Sequence, residues 1–251
     1  MLFRSGWQKY RGLKLAVRHR SATGVSLNGT YTLSRCVGNV SGGISTFNQT
    51  SQGYSDPKNP DFDYGYCDQD RLHLATLNAG YQTPDVGSGV VHALASGWRL
   101  SGILTARSGS RLNITSGRDN AFIGSHSSIQ RPDQVSDDIY GPGKKASDLK
   151  PGQQIDNYFN RAAFAQPTAG TLGNAMRNVA IGPAFWQVNL AISRLVPVGT
   201  KKLELRLESF NVLNHFNWGN PVTNLNSGTF GRIQSQAAES RIMQFGIKYD
   251  F

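Results

Sequence analysis

Long hydrophobic runs are absent from the 251-residue chain. No stretch approaches the roughly 20 consecutive apolar residues that a membrane-spanning helix needs, which excludes a helical membrane protein. The strands of a membrane β-barrel are not excluded, because they carry apolar residues only at every second position. The N-terminal stretch MLFRSGWQKYRG also lacks the apolar core of about 7–15 residues that a signal peptide requires. If the protein is exported, we therefore expect its export signal to lie upstream of this sequence.

Recognisable catalytic and binding motifs are also missing. The sequence has no G-x-S-x-G motif, and its GPGKKAS stretch lacks the spacing of a phosphate-binding loop. The five histidines are scattered and form no H-x-x-x-H pair of the kind that binds zinc. The sequence therefore predicts neither an enzyme nor a bound cofactor or metal.

Concentrated positive charge is lacking as well, although the formal net charge is +10. The 26 lysines and arginines outnumber the 16 acidic residues, but no basic run reaches five residues and the cations are spread along the chain. Nucleic-acid-binding proteins usually cluster their basic residues on one face. We therefore expect no nucleic-acid partner.

What the sequence does contain is alternation of apolar and polar residues with a period of two, which is typical of β-strands. For example, Leu203, Leu205 and Leu207 alternate with Glu204 and Arg206. Seven segments share the pattern: 13–20, 25–34, 71–81, 98–108, 185–195, 202–212 and 241–251. Their lengths are close to the 9–11 residues of a tilted membrane strand. The pattern predicts an all-β, antiparallel protein, and the sequence shows no convincing amphipathic helix.

The lengths of the connections favour a membrane barrel over a soluble sandwich, which alternation alone does not distinguish. Residues 21–24 and 196–201 are short connections, and 82–97 is of moderate length. These alternate with three long connections at 35–70, 109–184 and 213–240. Loops this long are uncommon in compact domains. Outer-membrane barrels combine short periplasmic turns with long extracellular loops, so the sequence predicts an antiparallel transmembrane β-barrel of this kind.

The odd number of predicted strands points to a fragment. A single-chain bacterial barrel has an even number of strands and begins in the periplasm. Here the first strand would begin on the extracellular side, and residues 1–12 would be the tail of an outer loop. We therefore expect residues 1–251 to be the C-terminal part of a longer protein.

Three segments resemble a known family. GWRLSGILTARSGSRLNITSGRDN, NRAAFAQPTAGTLGNAMRNVAIGPAFWQVNLAISR and LELRLESFNVLNHFNWGNPVTNLNSGTFGRI are similar to the last strands of TonB-dependent outer-membrane receptors. The closest resemblance is to the Oar-like type, which often carries an N-terminal carboxypeptidase-regulatory-like domain. In that family a barrel of about 22 strands surrounds a plug.

The resemblance implies a function for the chain as part of a larger receptor. It implies a C-terminal portion of the barrel wall, without plug or N-terminal domain, in a receptor that imports a bulky nutrient. The chain alone would not transport. Its expected partners are outer-membrane lipid, the barrel-assembly machinery, TonB through the missing N-terminal part, and an unknown extracellular ligand bound by the long loops. Siderophore, oligosaccharide, peptide and cobalamin are all open as substrates.

The terminal strand resembles the signal that the outer-membrane assembly machinery recognises in barrel proteins. Its alternating apolar residues are Phe245, Ile247, Tyr249 and the terminal Phe251. We expect these four side chains to face lipid, with the last two in an aromatic belt at the periplasmic interface. Other aromatic residues expected at the lipid or its interface are Tyr31, Trp98 and Trp186. The alternative is a soluble edge strand that ends on an aromatic residue.

The chain has two cysteines, Cys36 and Cys67, which flank the first long loop. In an oxidising compartment such a pair is compatible with a disulfide, and the alternative is two unpaired thiols.

The same loop carries five aspartates around a glycine: Asp56, Asp61, Asp63, Asp68 and Asp70. Oxygen-rich loops can bind Ca²⁺, but this one does not have EF-hand spacing. A calcium site and a solvated, turn-rich loop both remain open.

Two other functions are open at this point. The first is a complete small outer-membrane barrel that serves as an adhesin or structural pore, which would need an eighth strand within 109–184. The second is a soluble carbohydrate-binding β-sandwich.

Overall fold

The computed structural model describes residues 6–39, 54–56, 58–124, 130–141 and 154–250. Seven long strands form its main sheet: β1 (Gln8–Arg20), β2 (Val25–Gly38), β4 (His73–Gln82), β5 (Trp98–Arg107), β10 (Phe185–Val198), β11 (Lys201–Phe210) and β12 (Ile242–Asp250). The remaining elements are short: β3 (Gly65–Tyr66), α1 (Gly89–Ala95), β6 (Arg111–Leu112), β7 (Asp133–Gln134), β8 (Phe164–Ala165), β9 (Ala180–Ile181) and the 3-10 turns Pro60–Asp63 and Arg161–Ala163.

The seven long strands are arranged as a meander. Each pairs antiparallel with the next along the chain, in the order β1-β2-β4-β5-β10-β11-β12, and β3 pairs with the end of β2. All three long connections therefore leave the same end of the sheet, which we call the loop end, and the short connections lie at the opposite turn end. The structure confirms the predicted all-β, antiparallel architecture with seven long strands.

The sheet is open, because β1 and β12 are its two edges and do not pair with each other in the part of the chain that the structure describes. The first residue of β1, Gln8, pairs with Gly38 at the loop end. The first residue of β12, Ile242, pairs with Phe210, also at the loop end. The two edge strands consequently run in the same direction.

Two strands extend further toward the loop end than the sequence pattern predicted. β1 begins at Gln8, so the assignment of residues 8–12 to a loop was wrong, and β2 continues to Gly38. The pairing of Tyr10 with Cys36 continues the ladder of Leu13 with Leu33. The apolar alternation stops at Leu13 and Leu33 while the backbone hydrogen bonds continue, which is expected where a strand leaves the membrane and both its faces meet water.

One short helix interrupts this all-β architecture. The helix α1 lies within the moderate connection between β4 and β5 at the turn end. It has seven residues, about two turns, so the helical period of 3.6 residues has too little room to appear in the sequence. Among the described residues, no helix is both long enough and apolar enough to cross a membrane.

The described parts of segment 109–184 contribute no eighth strand to the main sheet. They contain only two-residue strands, and these pair with one another, β6 with β9 and β7 with β8. The small complete barrel, which requires such a strand, therefore finds no support in these residues.

The strand register gathers the apolar side chains on one face of the sheet. One row across four neighbouring strands contains Gly29, Leu77, Leu104 and Val188. The adjacent row on the other face contains Thr30, Thr76, Thr105 and Gln187. Of the buried hydrophobic residues, only Cys36 belongs to a long strand. The apolar face thus covers no protein core within the described chain and is available to an apolar solvent.

Aromatic residues mark both ends of the apolar face. Tyr31 and Trp186 lie toward the loop end, and Trp98 and Tyr249 toward the turn end. On β10, Arg194, the partner of Trp98, lies eight positions after Trp186. Eight residues span about 27 Å along a strand, and a tilt of 35–45° reduces this to about 20 Å of height. That height is comparable to the apolar band of about 25 Å on outer-membrane barrels.

We expect an arginine to be tolerated very differently on the two faces. The change Leu104→Arg should lower the free energy of unfolding in phospholipid vesicles by about 2–4 kcal/mol, because the guanidinium would face the middle of the lipid. The neighbouring change Thr105→Arg should cost less than about 1 kcal/mol, because this side chain lies on the polar face. Urea titration of the intact barrel measures both values. Equal losses would contradict the assignment of the faces.

Candidate functional site

The hydrophobic core of the described protein lies in its three long connections. The described residues within 39–72, 108–184 and 211–241 pack together at the loop end into one unit, which we call the loop cap. Two clusters of buried residues form its interior: Ile114, Ile139, Phe159, Ala163, Phe164, Ala180, Leu225 and Phe230, and beside them Ile155, Trp218 and Ile233. The described parts of the long loops are therefore packed around a common hydrophobic interior.

Short backbone contacts connect the three segments of the loop cap. The second and third segments are joined by the bridges Thr115–Asn224 and Ile155–Ile233. The first and second are joined by the bridge between Gly65 and Arg177. The second segment therefore contacts both of the others and connects them.

A buried ion pair connects the first segment to the second. The Arg131 guanidinium contacts the Asp63 carboxylate at 2.5 Å, and the two side chains are 4% and 3% exposed. Arg131 also donates to the carbonyl groups of Ala175 and Phe62, and Asp63 accepts hydrogen bonds from Ser55. Each buried charge therefore has an opposite charge and further hydrogen bonds, which buried ionic groups require.

A second ion pair lies where the loop cap meets the sheet. Arg111 donates to the Asp70 carboxylate at 2.9 Å, and Asp70 also accepts the backbone N–H of Cys36 at 2.7 Å. The Arg111 guanidinium lies over the ring of Tyr66, 3.4 Å from its centre. This arrangement holds the first loop against the beginning of the second.

The structure joins Cys36 and Cys67 by a disulfide, with their Cα atoms 5.4 Å apart. Cys67 also donates its backbone N–H to the carbonyl of Cys36 at 3.1 Å. The bridge connects the end of β2 to the end of the first loop, beside the Asp70–Arg111 pair.

The five aspartates of the first loop do not converge on a common centre. Each accepts from, or pairs with, a different group: Asp56 with the Lys58 backbone, Asp61 with Asn39, Asp63 with Arg131, Asp68 with Asn178 and Asp70 with Arg111. Among the described residues, no three acidic, histidine or cysteine side chains form a group that could hold a metal ion. In the structure, these carboxylates form hydrogen bonds and ion pairs within the loop cap.

Two tyrosines in the loop cap pack edge to face, with their ring centres 6.0 Å apart, and Tyr158 is the more buried of the two. Tyr158 donates its hydroxyl to the carbonyl of Ile181, and the Tyr140 hydroxyl accepts the N–H of the same residue. Burial raises the pKa of both tyrosines, so both stay protonated at neutral pH. They contribute hydrogen bonds and aromatic packing to the core.

A histidine of the loop cap packs against an aromatic residue of the apolar face. The His215 ring stacks on the Trp186 ring with 4.0 Å between their centres. Burial lowers the pKa of His215, which favours the neutral ring.

The terminal strand presents its predicted residues on the apolar face. Phe245, Ile247 and Tyr249 are 65%, 63% and 49% exposed at the open edge of the sheet. Phe251 lies outside the residues that the structure describes. The three described side chains are thus accessible to lipid.

The polar face forms a broad concavity near the turn end. Its volume is about 810 Å³, and its charged lining residues are Arg20, Arg99, Glu204 and Arg206. Arg206 pairs with Glu208 on the same strand at 2.6 Å. A face with these charges is suited to contact with water or with a polar partner.

A model of the outer membrane beta barrel domain family matches residues 1–244 of the chain. The chain belongs to this family. Its strands therefore lie in an outer membrane, with the apolar face against lipid. No curated protein matches the chain.

In an outer-membrane barrel the short turns are periplasmic and the long loops extracellular. The turn end of this outer-membrane barrel chain accordingly faces the periplasm, and the loop cap faces the outside of the cell.

The interactions that hold the loop cap together were not found from the sequence. Arg131 and Arg111 are 68 and 41 residues from their acidic partners, and no local pattern marks them. The one available signal was the density of aspartates in the first loop, since buried carboxylates require cationic partners.

Proposed function

We propose that this outer-membrane barrel chain forms the C-terminal part of the wall of a TonB-dependent receptor of the Oar-like type, which takes up a bulky nutrient. The resemblance of three long segments to the last strands of that family supports the proposal. The proposal gives the chain no catalytic role, no cofactor and no nucleic-acid partner.

The open sheet is the observation that carries the proposal. β1 has 13 residues and β12 has nine, and neither edge has a strand beside it in the described chain. In lipid each unsatisfied backbone group costs several kcal/mol, so both edges need partner strands. β1 and β12 run in the same direction, and pairing them would create a parallel pair in an otherwise antiparallel barrel. Additional strands between β1 and β12 would avoid this parallel pair and would give both edges a partner.

The polar face also favours a wide barrel. The interior of an eight-stranded barrel is filled by its own side chains, whereas a barrel of about 22 strands has a lumen occupied by a plug. Here the polar face carries Arg20, Arg99, Glu204 and Arg206 around its concavity. On the proposed reading, this surface faces the water and the polar surface of a plug.

The proposed partners contact different parts of the chain. The assembly machinery recognises β12 through Phe245, Ile247, Tyr249 and Phe251. TonB contacts the N-terminal part of the receptor, which this sequence does not include. The nutrient meets the extracellular loop cap first.

The test is to determine the size and the coding frame of the natural protein. We expect the reading frame upstream of Met1 to stay open into a plug-like domain and a signal peptide. We also expect outer membranes to contain the peptides of this chain in a polypeptide much heavier than its own 27.4 kDa. A stop codon and ribosome-binding site directly before Met1, with a 27.4 kDa protein in the membrane, would refute the receptor and favour a small adhesin or pore.

A further inference from the structure

We infer that the loop cap contains a binding site for a small, water-soluble anion that carries a carboxylate or phosphate group. The site is a shallow concavity of about 430 Å³ on the cap. Two exposed arginines, Arg118 and Arg161, line it from different parts of the second long loop, and Asn226 lines it from the third. The volume is in the range of small-molecule binding sites.

Each arginine is held in position by a neutral group. Arg118 donates its Nε–H to the side-chain oxygen of Asn226 at 2.8 Å. Arg161 donates one Nη–H to the backbone carbonyl of Ser227 at 3.1 Å, and its guanidinium lies 5.9 Å from the centre of the Phe230 ring. Within the described part of the chain, neither arginine forms an ion pair with a carboxylate. Both positive charges are therefore positioned by the protein and not neutralised by it.

The polar groups that remain for a ligand are hydrogen-bond donors. Arg118 retains both of its Nη groups, Arg161 retains Nε and the second Nη, and Asn226 retains its amide NH₂, since the hydrogen bonds of these residues in the described structure use none of these atoms. Both ends of the Gln166 amide are already engaged by the protein, because its NH₂ donates to the carbonyl of Ser116 and its oxygen accepts from Asn120. Among the described residues, no acidic side chain lines the concavity. A lining of this type selects a ligand that is rich in acceptors and negatively charged.

The carboxylate nearest to Arg118 in the sequence, that of Asp119, accepts its hydrogen bonds from other groups of the loop cap. Asp119 accepts from the side chain of Gln130 and from the backbone N–H groups of Ile123 and Gly124. The hydrogen bond from Gln130, followed by those from the backbone, lowers the pKa of Asp119. The Asp119 oxygens thus accept hydrogen bonds from the turn and from Gln130, and they do not pair with Arg118.

The bottom of the concavity is apolar. Phe164 and Leu225 are buried members of the cap core that reach this surface. Arginine donors above an apolar surface suit a ligand with one charged group and a less polar body, such as a sugar acid or a small phosphate ester. The role of this site as the place where a nutrient first binds rests on the proposed function. The ability of the site to bind an anion does not depend on that function.

The test uses isothermal titration calorimetry on the intact, detergent-solubilised protein, with inorganic phosphate, glucuronate and glucose as probes. We expect phosphate and glucuronate to bind and glucose to bind at least about tenfold more weakly, because it lacks the charge that two arginines recognise. The changes Arg118→Gln and Arg161→Gln should each weaken glucuronate binding by about tenfold or more, as expected for charged hydrogen bonds. The affinity should also fall as the salt concentration rises.

Arg241→Gln is the matched control, since it removes the same charge from an exposed residue of the loop cap that does not line the concavity. We expect it to leave binding unchanged. Circular dichroism of each variant should match the native protein, which separates loss of binding from loss of folding. No binding of either anion up to about 10 mM, near −3 kcal/mol, would overturn the inference, as would unchanged binding in the double arginine variant. Binding without TonB-dependent uptake would refute the proposed function and leave the site intact.

Discussion

Replacing Arg131 with methionine is expected to lower the free energy of unfolding of the loop cap by about 3–5 kcal/mol. The change removes the partner at 2.5 Å from an Asp63 side chain that is only 3% exposed. It also leaves the carbonyl groups of Ala175 and Phe62 without their donor. The buried carboxylate would then be unpaired, which costs much more than the pair contributes when it is intact. Hydrogen exchange and limited proteolysis of the intact barrel would report the effect in residues 58–72 and 130–141.

Two control variants separate the charge effect from a general loss of contacts. Arg232→Met breaks a pair with Asp156 of similar length, 2.5 Å, whose side chains are 36% and 56% exposed. Its expected cost is below about 1 kcal/mol, because water solvates both groups. The double change Asp63→Leu and Arg131→Met should recover most of the stability lost in Arg131→Met, because no unpaired charge remains. Similar losses for Arg131→Met and Arg232→Met would contradict this account.

Removing the disulfide is expected to destabilise the first long loop by about 3–4 kcal/mol, the entropic estimate for a bridge across about 30 residues. The bridge joins residues separated by 31 positions. Both cysteines are buried, so alanine is the appropriate replacement at each position because it adds no hydroxyl that needs a partner. We expect Cys36→Ala combined with Cys67→Ala to speed hydrogen exchange in residues 58–72.

Strands β10 and β11 serve as an internal reference for this experiment, because neither contacts the bridge in the strand register. Their exchange rates should not change. Reduction of the native protein should reproduce the effect of the double substitution. If reduction leaves the exchange of residues 58–72 as slow as before, the bridge does not stabilise the loop.

The wall of the protein could be predicted from the sequence because its determinants are local. Lipid on one face and polar surroundings on the other impose a period of two, and Leu203, Leu205 and Leu207 show it directly. The same logic failed at Gln8–Gly12, where pairing continues without alternation, and at Gly89–Ala95, where the helix is too short to display its period. Strand ends outside the membrane are set by backbone pairing, which leaves little trace in residue type.

The loop cap could not be predicted because its determinants are distant in sequence. Phe159 packs against Phe230, and Asp63 meets Arg131, across separations that no periodic pattern records. The sequence identified these segments only as long connections, and it left open a solvated, turn-rich loop in the first of them. Their buried aromatic residues are spaced irregularly, since a core made from irregular backbone has no repeat. The arginines of the anion site were missed for the same reason.

The shared direction of β1 and β12 limits how such a wall can be extended or engineered. A β-hairpin adds two strands, so duplication of hairpins never changes whether the first and last strands point the same way. A designer who grafts this wall onto another barrel must therefore supply an odd number of strands if every neighbouring pair is to remain antiparallel. Inserting only whole hairpins would always leave one parallel pair of neighbouring strands in the barrel.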